Sequence, residues 1–283
     1  MIIYYKKETP LIEYLKSIRD VKFYKEGFLE KIGFKTKVYP DIYFHSGALN
    51  SFSKTLIENS KHTIVNSNIL KNNICKQLLV KPDNIYVIFP ATNIKKFKKK
   101  ELKKPFYKKH NIEDSKKLIY FTAKNFQKSG FERYCKILQN LEAKNWIGIV
   151  TVKIDKDIDY INDVLLHYKL NKKVILAEDE VFDIADIFLL PTSFINFSNN
   201  ILKAMANKCV VFLPKANYAT ELLDMFAIME NPNDYSISYK IDMLLRAEKE
   251  LKNIQKENYK IAKKYTFEYQ QKKLKNILAK ISL

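Results

Sequence analysis

The sequence predicts an α/β protein of two lobes, each built on a parallel β-sheet that helices cover on both faces. At 283 residues, the chain has the length of two domains of about 100–150 residues each. In both halves, apolar segments of strand length alternate with helical segments, and this alternation requires crossover connections between parallel strands. A lysine-rich segment at 90–109, which contains Pro90 and Pro105, interrupts the alternation and indicates the boundary between the lobes.

The first lobe is predicted from five strand-length segments and the helices between them. Thr9 can cap the first helix and Pro10 fits its first position, because proline has no amide hydrogen to leave unpaired there. A short amphipathic helix is expected around Phe28, Leu29 and Ile32. The predicted strands are 1–5, 21–24, 41–46, 63–66 and 84–89, with helices at 51–59 and 68–79.

The second lobe repeats the pattern after a short helix near 105–110. A helical turn is expected at 181–185 and a helix start at 219–223. From residue 234 the sequence is predicted to be helical to the end, with the last amphipathic helix opening at 265–268. The predicted strands are 117–122, 147–152, 174–176, 187–190 and 210–212, with helices at 130–140, 160–168 and 198–207.

The charge of the chain favours anionic partners. Fifty lysines and arginines against 31 acidic residues give a formal net charge of +19. Such a field attracts nucleotides, phospholipid head groups or nucleic acid. The alternative is a solvated lysine-rich surface, since lysine occurs in nearly every segment. The sequence has no RNA-recognition motif, helix-turn-helix or finger pattern, so we expect no nucleic-acid partner.

Several protein classes are disfavoured by what the sequence lacks. Five glycines with no G-x-G-x-x-G or P-loop pattern argue against a dinucleotide dehydrogenase and a P-loop NTPase. Cys75, Cys135 and Cys209 are odd in number and lack metal or redox spacing, which favours a reducing compartment and no metal site. No apolar run approaches the ~18 residues of a membrane span. We therefore expect a cytoplasmic protein, with peripheral contact at the inner, anionic face of the membrane.

The most informative segment is 185–212, ADIFLLPTSFINFSNNILKAMANKCVVF. A buried strand runs into Pro191, and Ser198 can then cap a helix whose free amide groups would make an anion site suited to a diphosphate. Asn199 and Asn200 are small and polar, so a phosphate can approach closely. The alternative is an ordinary crossover between parallel strands, with an ordinary helix cap.

This segment resembles the donor-binding signature of retaining GT-B glycosyltransferases of the large family 4, which includes lipopolysaccharide-core glucosyltransferases. Three further stretches are similar to the same family, at 63–70, 123–131 and 265–268. The first lobe is shorter than the family usually has. The residues of the signature that fall in register are Ala185, Asp186, Pro191, Phe194, Phe197, Ser198, Ala204, Met205, Ala206, Val210 and Val211.

The resemblance implies a fold and an activity. The implied fold is two Rossmann-like domains with parallel sheets facing a central cleft. Its acceptor-side domain would be 1–95, a linker 96–112, the nucleotide-sugar domain 113–262, and a helix at 263–283 packing back toward the first domain. The implied activity is retaining, metal-independent transfer of a sugar from a nucleotide-diphosphate donor to a glycan, lipid-linked or protein acceptor, without a further cofactor.

The resemblance also implies a donor site, from which this chain departs. The two acids of the family motif E-x7-E fall on Ile195 and Lys203, and neither side chain can accept a hydrogen bond. The loop lysine of the family falls on Ser129, where Lys128 stands beside it and can serve as the counter-charge of a diphosphate. The implied donor-binding residues are Lys124, Asn125, Lys128, Ser129, Ile195, Ser198, Asn199, Asn200 and Lys203.

His45 is the candidate catalytic residue, and Ser46 and Gly47 follow it on the acceptor side. In the implied fold, a residue at the end of this strand points into the cleft, where it can orient an acceptor or act on its hydroxyl. The alternative is a structural histidine.

Two interpretations of the whole chain remain open. It is an active glycosyltransferase with altered donor recognition, or a degenerate, non-catalytic relative that serves as a partner or scaffold protein. The cations of the predicted site favour the first, while Ile195, Lys203, Ser129 and the short first lobe favour the second.

Overall fold

The computed structural model describes residues 1–5, 7–17, 21–25, 39–152 and 157–281. It confirms the predicted fold class, an α/β protein with two parallel sheets. One compact unit comprises residues 1–92, 195–199 and 265–283, and the other comprises 93–194 and 200–264. The helix predicted around Phe28 lies outside the described residues.

The first unit is built on a five-stranded parallel sheet with the order β2-β1-β3-β4-β5. Its core joins strand residues such as Ile3 and Ile64 to Leu15 on the first helix and Leu274 on the last. The strands are β1 (Ile2–Tyr5), β2 (Lys22–Lys25), β3 (Ile42–His45), β4 (His62–Val65) and β5 (Ile85–Val87), and the helices are α1 (Pro10–Lys16), α2 (Ser51–Asn59), α3 (Asn68–Gln77) and α11 (Phe267–Ile281).

The first three helices begin where the sequence offers a cap. The Thr9 side chain accepts a hydrogen bond from the Ile12 amide at 3.3 Å, with Pro10 in the first turn of α1, as predicted. Ser67 accepts from the Leu70 amide at 3.0 Å and caps α3 in the same way. These side chains satisfy amide groups that no helical carbonyl can reach.

Asp41 ties the start of β1 to the start of β3. Its carboxylate accepts a hydrogen bond from the Ile2 amide at 2.8 Å and pairs with Lys61 at 2.6 Å. These contacts, that with Lys61 first, hold the pKa of the carboxyl below its ordinary value of 3.8. A carboxyl with a lowered folded pKa stabilises the fold above its ordinary pKa, and this contribution disappears as the pH falls through the folded pKa.

We therefore expect acid to destabilise the start of β1 in the first sheet. As the pH falls below 3.8, amide hydrogen exchange in β1, corrected for the intrinsic rate, should accelerate in the native protein. In Asp41→Asn this acid-induced acceleration should be largely absent. Asp83→Asn, at an exposed acid of the same unit, is the matched control. Equal acid sensitivity in Asp41→Asn and the native chain would contradict this role.

The second unit is built on a six-stranded parallel sheet with the order β11-β10-β9-β6-β7-β8. The short strand β11 was not predicted. The strands are β6 (Lys117–Thr122), β7 (Trp146–Thr151), β8 (Val174–Ala177), β9 (Ile187–Leu189), β10 (Val210–Pro214) and β11 (Ile228–Met229), and the helices are α4 (Lys99–Lys109), α5 (Phe126–Ser129), α6 (Phe131–Gln139), α7 (Ile158–His167), α8 (Asn199–Ala206), α9 (Ile237–Arg246) and α10 (Glu248–Ala262).

Helix α4 corrects the prediction for the lysine-rich segment. The short helix expected near 105–110 is a helix from Lys99 to Lys109 with Pro105 in its interior. Lys103 pairs with the Asp186 carboxylate, and Lys99 donates to the Ala185 and Lys208 carbonyls. Two lysines of a run that suggested a solvated surface are therefore structural anchors within the second unit.

The helical segment predicted from residue 234 is three helices. Helix α9 ends at Arg246, α10 runs from Glu248 to Ala262, and α11 begins at Phe267. The helix start that was predicted at 219–223 is a 3₁₀ turn at Tyr218–Leu222. No helix among the described residues is both long and apolar enough to cross a membrane.

Candidate functional site

The second sheet has a topological switch point between β6 and β9. From β6 the chain builds β7 and β8 on one side, and then crosses to build β9, β10 and β11 on the other. Loops that leave adjacent strands in opposite directions open a crevice at the carboxyl ends, where open parallel sheets bind ligands. The loop after β6 and the loop after β9 therefore define the first candidate site.

The loop after β6 carries four of the predicted donor residues. The Asn125 side chain accepts a hydrogen bond from the Lys128 amide at 2.9 Å and caps α5. Lys124, Asn125 and Lys128 are exposed, whereas Ser129 is buried. Two ammonium groups are therefore accessible at this edge, and Ser129 offers no charge in place of the family lysine.

Gly130 allows the segment after β6 to pack closely against the loop after β9. Its backbone is left-handed, with φ +92°, and it separates α5 from α6. A Cβ atom built on Gly130 would lie 2.1 Å from the Pro191 carbonyl oxygen. The site thus depends on the absence of a side chain at this position.

The loop after β9 leads into α8, which begins at Asn199 rather than at the predicted 198. At the start of α8, Asn199 is exposed and Ser198 and Asn200 are half-buried, whereas Ile201 and Leu202 of the same turn are fully buried. Ile195 is half-buried and supplies no polar group. Residues 195–199 belong to the first unit and Asn200 to the second.

Lys203 is engaged by a carboxylate. Its ammonium group pairs with Glu180 and lies 5.1 Å from the centre of the Phe182 ring. Both partners belong to the connection between β8 and β9. The position where the family has an acid is therefore basic here, and an acid from a neighbouring loop contacts it.

Arg133 is a cation of this site that the sequence reasoning missed. Its guanidinium donates to the Asn233 side-chain oxygen at 2.8 Å and to the Ser193 hydroxyl at 3.1 Å. Arg133 is in the first turn of α6, and Ser193 follows β9. Two features of the sequence could have identified it. Arg133 lies three residues after Gly130, and it is one of only three arginines in a sequence rich in lysine.

The second candidate site is a pocket within the first unit, at the carboxyl edge of its sheet. The pocket is a concave site with a cavity volume of about 120 Å³. It lies where β1 and β3 end, and these two strands form the switch point of the first sheet. Its lining includes the predicted His45 and Ser46, together with Asn199.

His45 is buried in the wall of this pocket. Its side chain is 2 % exposed, and its Nδ1 atom is 3.0 Å from the Tyr43 hydroxyl. Tyr43 is itself fully buried in β3. The structure therefore places His45 in a pocket wall beside the Tyr43 hydroxyl, while its catalytic role remains a prediction.

Gly47 gives the chain room to turn beside the pocket. Its φ is +93°, and a Cβ atom there would lie 2.5 Å from the Asn196 side-chain oxygen. Asn196 lines the pocket. The predicted acceptor-side glycine thus lets the end of β3 approach segment 195–199 within the first unit.

No cluster of three or more histidine, cysteine or acidic side chains with metal-binding geometry occurs among the described residues. The exposed cations and polar groups of the candidate sites are mainly lysine, arginine, amide and hydroxyl groups. Such groups donate hydrogen bonds to anions and to hydroxyls.

The two parallel sheets define the chain as a protein with a GT-B-like fold. No family model and no curated protein sequence matches the chain. Among solved structures, it is similar to a glycosyltransferase from Rickettsia africae, with 15 % identity and a TM-score of 0.75 over 99 % of this chain and 76 % of that one.

Two further structures cover nearly the whole of both chains. Anabaena HepE in complex with UDP is 13 % identical with a TM-score of 0.76, over 99 % of each chain. WaaG, a glycosyltransferase of lipopolysaccharide biosynthesis, is 10 % identical with a TM-score of 0.70, over 98 % of this chain and 99 % of that one. At these identities the likeness establishes the fold.

Proposed function

We propose that this protein is a glycosyltransferase that uses a nucleotide-diphosphate sugar. The observation that carries the proposal is the crevice between β6 and β9, where Gly130 joins two loops and two exposed lysines stand at one edge. Departure of a diphosphate creates negative charge, which fixed cations and amide groups stabilise. The donor nucleotide proposed is UDP, because the related HepE structure holds UDP.

In the proposed reaction, the bond between C1 of the donor sugar and the diphosphate oxygen breaks, and its electron pair leaves with the diphosphate. The acceptor oxygen forms a bond to C1 and gives up its proton. Lys124 and Lys128 stabilise the departing diphosphate, and the first turn of α8 offers it amide groups. In this proposal His45 receives that proton.

Binding of UDP is the direct test of the proposal. At a concentration about 100 times its dissociation constant, UDP should stabilise the native chain by about 2.7 kcal/mol, visible as a rise in melting temperature. Lys128→Ala should weaken binding about fivefold, because it removes a charge-assisted contact worth about 1 kcal/mol at an exposed site.

The matched control is Lys172→Ala, at an exposed lysine just before β8, on the amino edge of the same sheet. It should leave UDP binding unchanged. Absence of a shift with UDP, GDP or ADP would contradict the donor site. An equal loss in both variants would contradict the role of Lys128.

A second candidate function is a non-catalytic partner protein. It is favoured by Ile195, which has no acceptor group, and by Lys203, which is paired with Glu180. Purification of a stoichiometric protein partner with a chain that binds no nucleotide would support it. Transfer of sugar from UDP-glucose to any acceptor by the purified chain would exclude it.

A further inference from the structure

We propose that Arg133 binds the β-phosphate of the donor and stabilises the charge that this phosphate gains when the sugar leaves. The inference rests on the proposed glycosyltransferase function and adds to it a third cation beside Lys124 and Lys128. It is drawn from the position of Arg133, from the hydrogen bonds of its guanidinium and from the contacts of the acids around it.

Arg133 lies where the two loops of the crevice run side by side. Gly130, which ends the loop after β6, packs against the Pro191 carbonyl. Three residues later, the Arg133 guanidinium reaches the Ser193 hydroxyl at 3.1 Å. Pro191 and Ser193 both follow β9. Arg133 therefore bridges the carboxyl ends of the two strands that form the switch point, where open parallel sheets bind ligands.

The charge of Arg133 has no carboxylate partner among the described residues. The side chain is half-buried, and its two hydrogen bonds go to neutral oxygens, those of the Ser193 hydroxyl and the Asn233 amide. A half-buried cation without a counter-charge costs free energy, and an anionic ligand that pairs with it removes that cost. This distinguishes Arg133 from Lys203, which pairs with Glu180.

The acids closest to Arg133 and to its partners along the chain make other contacts. The Glu132 carboxylate accepts a hydrogen bond from the Tyr168 hydroxyl at 3.2 Å. The Asp234 carboxylate, next to the amide that holds Arg133, accepts from the Glu230 amide at 2.9 Å. Neither forms an ion pair with the guanidinium, so its positive charge is left for a ligand.

The guanidinium suits a phosphate. It has five N–H groups in a rigid fork, and the bonds to Ser193 and Asn233 use two of them, which leaves three. In the proposed reaction, the oxygen that separates from C1 belongs to the β-phosphate, so the new negative charge appears there. Charge-assisted hydrogen bonds from arginine to phosphate are strong. Because two neutral partners already orient the fork, it can stabilise this charge with little reorganisation.

The test measures the dissociation constants of UDP, UMP and inorganic pyrophosphate for the full chain by titration calorimetry. Arg133→Gln should weaken binding of UDP and pyrophosphate about tenfold, as expected for the loss of a hydrogen bond from a charged group. UMP has no β-phosphate, so its affinity should be unchanged. Arg133→Lys keeps the charge but loses the fork, and its loss for UDP should lie between those of the native chain and Arg133→Gln.

Two further variants separate binding from support of the loops. Arg246→Gln removes another exposed arginine, whose partner Glu142 precedes β7 at the amino edge of the sheet. It should change none of the three affinities. Ser193→Ala removes one anchor of the guanidinium but keeps the cation, so it should weaken UDP binding much less than Arg133→Gln does.

The inference is overturned if Arg133→Gln leaves UDP binding unchanged, if it weakens UMP as much as UDP, or if Ser193→Ala has the full effect of Arg133→Gln. A chain that binds UDP without dependence on Arg133 retains the proposed function and loses this inference. A chain that binds pyrophosphate through Arg133 but binds no nucleotide retains the phosphate site and is not a glycosyltransferase.

Discussion

Gly130→Ala is expected to be the most damaging single substitution in the donor region, lowering the free energy of unfolding of the second unit by about 3 kcal/mol or more. An alanine at φ +92° is strained by itself. Its Cβ would also lie 2.1 Å from the Pro191 carbonyl oxygen, and a backbone atom cannot rotate away. The two loops must separate, so we also expect loss of UDP binding.

Urea denaturation followed by the fluorescence of Trp146 measures this effect, because this single tryptophan is buried in β7 of the second unit. Gly148→Ala is the control. Its Cβ would crowd the side chains of Val174, Tyr134 and Leu138, and its φ is not in the left-handed region. Side chains can shift, so a smaller loss is expected. A larger loss in Gly148→Ala than in Gly130→Ala would refute this account.

The second large effect is expected from Asp186→Ala, at about 3–5 kcal/mol of unfolding free energy. The Asp186 carboxylate pairs with Lys103 and accepts a hydrogen bond from the Leu118 amide at 2.8 Å. Both side chains of the pair are largely buried, at 8 % and 13 % exposure. Burial lowers the pKa of Lys103, against the opposing effect of Asp186. Removal of the acid would therefore leave an ammonium group uncompensated in the interior.

A double substitution separates the charge from the hydrogen bond. Asp186→Asn keeps an oxygen for the Leu118 amide and removes only the charge. In the native background it should cost several kcal/mol, whereas in a Lys103→Met background its additional cost should be about 1 kcal/mol or less. Equal costs in the two backgrounds, measured by urea denaturation, would show that the pair is not the source of stability.

Asp41 and Asp186 occupy matching positions in the two units. Each directly precedes the strand across the switch point, and each carboxylate accepts a hydrogen bond from an amide near the start of the first strand of its unit, Ile2 in β1 or Leu118 in β6. Asp186 is part of the signature that resembles the family 4 donor site. Its contacts here are structural, and the polar groups exposed at the crevice come from the loops.

Helix α4, which was predicted too short, and strand β11, which was not predicted, are both stabilised by long-range contacts. Helix α4 contains Pro105, and its apolar residues show no clear helical spacing. Its lysines bond to carbonyl and carboxylate groups of the second unit. Strand β11 has only two residues, Ile228 and Met229, and forms by pairing with β10. Neither element stands out locally, since its stabilising partners lie elsewhere in the chain: Leu213 pairs with Ile228 of β11, and Asp186 pairs with Lys103 of α4.

The sequence by itself determined the two parallel sheets, because apolar runs of strand length that alternate with helices can be buried in few other ways. It also identified the two loops and the strand end from which the candidate sites are built. The tertiary structure alone decided which residues meet. Gly130 lies against Pro191, Lys203 pairs with Glu180, and Arg133 bonds to Ser193. It also decided that segment 195–199 forms part of the pocket wall in the first unit. The physical reason is that periodicity records which face of an element is buried, while charge pairing and close backbone approach depend on residues that only the folded chain brings together.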